Sequence, residues 1–233
     1  MKKKLVVLVG STVLSLAILP SAAQNHVGSN LKVLHDSLPK YPKEARKQKV
    51  EGIVRLRLTL GRGGNVANAE VLSGDPTLAA SAQTAAMKRR YDIGTQTGES
   101  MEPQIETAFC FLLTHPGPLV FEIDDPEMQA EFSAVINSHS GSRKGSEPPR
   151  AVYTPDPPYT DAARRDKLQG VSVVELLIDE KGQPRYAIPV KKLGDGLDEN
   201  AITTVRQWKF QPATKDSKPV PCLATVEVAF HLY

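Results

Sequence analysis

From Ile53 to Leu60 apolar and polar residues alternate. Val54, Leu56, Leu58 and Leu60 fall on one face, and Arg55, Arg57 and Thr59 on the other. A period of two predicts a strand with one buried and one wet face. Asp75-Pro76 reads as the N-cap and first-turn proline of a helix, in which Leu78, Ala82 and Ala85 recur at helical spacing and face a sheet. Ile105, Thr107, Phe109, Phe111 and Leu113 then share one face of a second alternating run. Pro42 is placed at the first position of a short helix, where a missing N–H costs nothing.

The same order of elements occurs again between Tyr159 and Phe230. A short helical piece ends at Gly170, and a strand, Val171 to Ile178, follows. A turn at Asp179-Glu180-Lys181-Gly182 leads to a second strand, then to an amphipathic helix with Leu197, Ala201, Val205 and Trp208 as its stripe, and to a last strand. Shifted back by 118 residues, Tyr159 falls on Tyr41, Ala163 on Ala45, Arg164 on Arg46, Lys167 on Lys49, Gly170 on Gly52 and Gly182 on Gly64. After the second strand the shift becomes 119, so that Leu197 falls on Leu78, Ala201 on Ala82, Phe210 on Tyr91 and Phe230 on Phe111. Arg89 then stands where the second copy has Trp208, and Ile93 where it has Pro212.

A repeat of this length decides architecture before any single motif does. The expected class is α+β: two tandem domains, each a three-stranded antiparallel sheet with two helices packed on one face. The expected boundaries are 31–115 for the first copy, 116–152 for a linker with a short helix, and 153–233 for the second. The linker helix begins at Asp125-Pro126 and carries Met128, Phe132, Val135 and Ile136 as an apolar stripe; Ser138 to Arg150 is rich in Gly, Ser and Pro and reads as flexible. Pro189 inside a strand argues for a sheet edge or a bulge. Trp208 and Phe210 are expected to be core aromatics.

Charge and composition narrow the function classes. Residues 1–23 combine Lys2, Lys3 and Lys4, the apolar run Leu5 to Leu19, and Ser21-Ala22-Ala23, which is the layout of a secretory signal peptide; an uncleaved anchor is the rival reading. The whole chain has 29 Lys+Arg and 26 Asp+Glu, so removing the three lysines of the leader leaves 26 of each and no net charge. Such a balance gives no nucleic-acid footprint. His26, His35, His115, His139 and His231 are scattered without metal-ligand spacing. No nucleophile-elbow motif occurs, and Gly61-Arg62-Gly63-Gly64 lacks the Lys-Ser/Thr of a phosphate loop and aligns with an ordinary hairpin turn. No catalytic residue, cofactor or metal is therefore expected. Cys110 and Cys222 are an even pair, which in an exported chain suggests a disulfide, but their positions in the two copies are not equivalent, so a bridge would have to join the copies; two separate buried thiols are the alternative.

Taken together, the Tyr…Ala…Gly opening, the turn glycine, the Leu-Asp before the helix and Trp208-Lys209-Phe210-Gln211-Pro212 resemble the C-terminal domain of TonB, the periplasmic energy-transducing protein of Gram-negative bacteria. The resemblance covers roughly residues 38–115 and 155–233. It implies a non-enzymatic, periplasmic protein that accepts extended peptide segments of outer-membrane transporters, or of other envelope proteins, as an added strand. It also implies pairing of two copies through their strands. By resemblance the partner-binding residues are Lys40, Tyr41, Pro42, Pro158 and Tyr159, together with the last strand of each copy, Ile105 to Leu113 and Thr225 to Leu232, the latter with Thr225, Glu227, Ala229 and His231 along it. The alternatives are a structural or dimerisation module of an envelope complex, or a membrane-anchored energy transducer if residues 1–23 are retained. Membrane contact is expected only in that last case.

One departure from pattern stands apart from the family. In the second copy the strand face turned away from the helices carries Val171, Val173, Glu175 and Leu177, where the first copy has Arg55, Arg57 and Thr59. A solvated face should read polar, so something is expected to cover it. The linker helix with Met128 and Phe132 is the favoured cover, ahead of the first copy or a partner. For the N-terminus, mass spectrometry of the exported protein should find a chain beginning at Gln24; an intact Met1 in the membrane fraction would restore the anchored reading.

Overall fold

The computed structural model describes residues 31–94, 103–139 and 145–232; residues 1–23, read as a signal peptide, lie outside them, as do 140–144 of the Gly/Ser/Pro-rich stretch. The first copy runs β1 (Val33–His35), α1 (Lys43–Gln48), β2 (Gly52–Leu60), β3 (Val66–Ser73), α2 (Pro76–Ala86), β4 (Arg90–Tyr91) and β5 (Gln104–Leu113). The segment read as a linker holds β6 (Pro118–Glu122), α3 (Pro126–His139), β7 (Ser146–Glu147) and β8 (Arg150–Tyr153). The second copy follows with α4 (Asp161–Arg165), β9 (Gly170–Ile178), β10 (Pro184–Lys191), α5 (Leu197–Val205), β11 (Lys209–Gln211), β12 (Ala213–Lys215), β13 (Lys218–Val220) and β14 (Cys222–Phe230).

Both main sheets are antiparallel, in the orders β3-β2-β5-β6 and β10-β9-β14. The fold is α+β with tandem copies, as the repeat implies, but the first sheet has four strands rather than three. The extra strand comes from Pro118-Leu119-Val120-Phe121-Glu122, a short run between turn residues that is apolar enough to pack on both of its faces. Pro189 lies on the edge strand β10, beside an irregular register between Pro189 and Lys191. Pro42 is the N-cap of α1 rather than its first residue.

Local chemistry fixes the repeated joints. Asp75 caps α2 by accepting from Thr77 N at 2.8 Å, and Thr160 caps α4 by accepting from Ala163 N at 3.1 Å. At the hairpin turns Gly64 and Gly182 have φ of +74° and +76°, and a Cβ there would lie 1.9 Å from the Tyr91 carbonyl oxygen and 1.8 Å from that of Phe210. Only glycine satisfies both demands. The same glycines accept from Tyr91 N (2.7 Å) and Phe210 N (2.9 Å), which ties each hairpin to the strand after the helix. Gly61–Gly64 thus closes a hairpin rather than opening a helix.

Each copy has its own core. Val54, Leu56, Leu58, Leu60, Phe109 and Phe111 meet Ala45, Leu78 and Ala82 in the first; Val174, Leu176, Ile178 and Phe230 meet Ala163, Leu197 and Ala201 in the second. Trp208 packs against this second core but is only half-buried, because its indole N–H reaches out to donate to the Pro155 carbonyl at 3.2 Å.

A third core joins the copies. Ala108, Cys110, Leu112 and Leu119 of the first sheet meet Phe132, Val135 and Ile136 of α3 and Leu177 of the second sheet, with Tyr186, Ile188 and Leu223 packed around them. The apolar outer face of the second copy is therefore covered, with Val173 and Leu177 only 4% and 1% exposed. Phe132 bridges the two sheets, edge-on to Phe121 at 5.5 Å and tilted against Tyr186 at 5.9 Å. Arg185 on β10 adds contacts to Glu127 and Glu131 of α3 at 3.1 and 3.0 Å. Strand β5 is in consequence buried on both faces, not on one. Cys110 and Cys222 are free thiols in different cores, and burial pushes both up from the usual thiol range, Cys222 to about 11.

Glu175 lies in the outer face of the second sheet, 4% exposed, and accepts a 2.6 Å hydrogen bond from the Thr225 hydroxyl. Burial raises its carboxyl to about 7; the Thr225 bond works against this and the charge of Glu51 works with it. An acid whose folded pKa is raised contributes stability that is fully present below its unfolded value and is lost as pH rises through the folded one. The wild type should therefore lose thermal stability relative to Glu175→Gln between about pH 5 and 8, measured as the difference of two melting curves. Phe132→Ala should cost about 3–5 kcal/mol in denaturant unfolding, with both copies affected because the side chain belongs to the core between them.

A candidate peptide-accepting strand edge

The sequence places its candidate residues in two groups. Thr225, Glu227 and Ala229 alternate along β14, with His231 just beyond it. Glu227, Ala229 and His231 are exposed, whereas the Thr225 hydroxyl is committed to Glu175. Pro158 and Tyr159 join this group, since the Tyr159 ring stands edge-on to Phe230 at 5.6 Å. Lys40, Tyr41 and Pro42 belong to the first copy, where Tyr41 stands in the same way on Phe111 at 5.6 Å.

Both tyrosines hold their copies together. Tyr41 donates to the Val50 carbonyl and Tyr159 to the Leu168 carbonyl at 3.0 Å, the same bond one repeat apart. Burial raises the Tyr41 phenol above its ordinary range, with the charge of Glu51 adding to it. The approach to each tyrosine is anchored as well: the Lys40 carbonyl accepts from Ser81 at 2.5 Å and the Pro158 carbonyl from Asn200 at 2.8 Å.

The last strands of the two copies differ. Strand β14 pairs with β9 along its full length, from Cys222↔Ile178 to Phe230↔Gly170, and no described strand pairs with its other side. Strand β5 pairs with β2 on one side and with β6 on the other, from Phe109↔Glu122 to Leu113↔Pro118. An edge strand offers unpaired N–H and C=O groups to any extended chain. In this fold β14 offers them, while the chain itself already fills the matching edge of β5.

A buried charge fastens β6. The Arg89 side chain is 0% exposed and grips Glu122 with both terminal nitrogens, Nη2 at 2.9 Å from Oε2. Nη2 also reaches Asp36 at 2.7 Å, the guanidinium lies 4.8 Å from the Phe109 ring centroid, and the Thr107 hydroxyl donates to Glu122 at 2.5 Å. Burial opposes the Arg89 charge, but the bond to Glu122 and its charge outweigh that and hold the guanidinium ionised. Sequence reasoning registered Arg89 only as a departure from the Trp position. The signal for its role was Glu122 at the end of a short apolar run. Among the described residues, no group of three or more His, Cys, Asp or Glu could hold a metal ion, and no helix is long and apolar enough to cross a membrane.

Breaking one side of a buried ion pair costs about 3–5 kcal/mol because the other charge is left without a partner. Arg89→Ala should lower first-copy stability by that order in chemical denaturation. Amide exchange over residues 118–122 should rise with it.

Comparison with known proteins agrees with this geometry. The family model described as the Gram-negative bacterial TonB protein C-terminal matches residues 37–113 and 155–232, about two thirds of the chain. The chain is also similar to "Protein TonB" of Vibrio cholerae serotype O1, 29% identical over 77 residues, which is 33% of this chain and 32% of that protein. The match thus spans about a third of that relative's length. Two copies of one fold, each matched separately, place this chain in the TonB C-terminal family.

Proposed function

We propose that this chain is a non-enzymatic protein of the bacterial envelope, exported to the periplasm, that grips extended peptide segments of outer-membrane transporters or other envelope proteins by adding them to the free edge of β14. Family membership supports the kind of partner, and the unpaired side of β14 carries the choice of site. Main-chain hydrogen bonds supply affinity in such strand addition, and side chains on alternate positions supply selectivity. The first copy contributes no second site of this kind, because β6 occupies it. It serves instead as a support, holding the outer face of the second sheet through α3.

Hydrogen–deuterium exchange on the full exported chain, with and without peptides from transporter N-termini, tests the reading. Protection should appear over residues 222–230 and leave 104–113 unchanged. Peptide capture with protection on β5, or no capture by any such peptide, would overturn it. A structural or dimerisation role would show as protection of β14 on raising the protein concentration alone.

A further inference from the structure

The inference here rests on the reading of β14 as an acceptor, and concerns which side chain that edge admits. The first copy shows what an added strand looks like on this sheet. In β6, Val120 and Glu122 lie opposite Phe111 and Phe109 and share their helix-side face, while Leu119 and Phe121 turn outward into the third core. The Glu122 carboxylate is tolerated at that depth because Arg89 and the Thr107 hydroxyl bind it. A carboxylate left there without such partners would bear its full desolvation cost.

Moving one repeat along replaces those partners. With the shift of 119 residues, Phe111 becomes Phe230, Phe109 becomes Val228, Arg89 becomes Trp208 and Thr107 becomes Val226. Trp208 occupies the same place in the connection after α5 that Arg89 occupies after α2. Its one polar hydrogen is used by the Pro155 carbonyl, and its ring packs with Phe210 at 6.2 Å against the second core. A strand residue level with Val228 would therefore meet an indole ring and a valine, where the first copy offers a guanidinium and a hydroxyl. The geometry points to Trp208 as a specificity-determining residue: β14 takes an extended segment with an uncharged apolar side chain level with Val228, and rejects a carboxylate there.

The chain supplies its own probe. Two labelled peptides are titrated into the full exported protein near pH 7.5 with anisotropy as readout: residues 117–124 as they stand, and the same segment with Glu122→Leu. The leucine peptide should bind at least about tenfold more tightly, the usual scale for an unsatisfied buried charge. Emission of Trp208, the chain's one tryptophan, should change on binding and so locate it in the second copy. Trp208→Arg should reverse the preference; should that variant fail to fold, the wild-type comparison of the two peptides still decides. Equal affinities, or a preference for the acidic peptide, would overturn the assignment. If neither peptide binds while transporter peptides still protect residues 222–230, the specificity assignment falls and the acceptor reading stands. If those peptides fail as well, both fall.

Discussion

The arrangement depends on one apolar contact, the insertion of Phe132 between two sheets. Each copy alone would leave an outer sheet face partly apolar, Ala108, Cys110 and Leu112 in the first and Val173 and Leu177 in the second. Neither face could stay in water without cost. Helix α3 covers both, so the free energy that buries these faces also sets the spacing of the copies. Charge follows the same division. Where the first sheet's outer face leaves this contact it turns polar, with Arg55 and Arg57 reaching Glu106 at 3.1 and 3.2 Å and Arg57 reaching Glu70 at 3.5 Å.

Most of the fold was legible because the repeat is written in residues with few alternatives. Gly64 and Gly182 need a positive φ and an absent Cβ, Asp75 needs a cap acceptor, and Val54 to Leu60 needs a sheet to bury it. The apolar face at Val173 and Leu177 also announced its cover, since nothing solvated reads that way. What stayed hidden lies between the copies. Strand β6 is five residues long and belongs to no periodic pattern, so it passed as linker. Its pairing depends on Arg89, some thirty residues earlier, and a buried ion pair between distant positions leaves no local signature. Trp208 was expected deeper than it lies, because helical spacing marks a face but not the point at which the helix ends and the ring reaches the rim.

Glu175 illustrates how the joint between copies can carry chemistry that neither copy shows alone. Its carboxyl sits among Val173, Leu177 and Thr225 on its own sheet and feels Glu51 of the other copy. Truncating the chain to one copy would expose this acid and return it toward ordinary behaviour. Measurements on isolated copies would then describe a different surface from that of the whole chain.

Strand β6 also governs how many neighbours the molecule can hold by its last strands. A chain with two equivalent bare edges can join a neighbour at each end, and head-to-tail joining of that kind grows without closing. Pairing one of them from within leaves a single last strand bare and moves the first sheet's edge outward to β6. By their last strands alone, two such chains could join only as a pair, β14 against β14, and further growth would have to start from another edge, β3, β6 or β10.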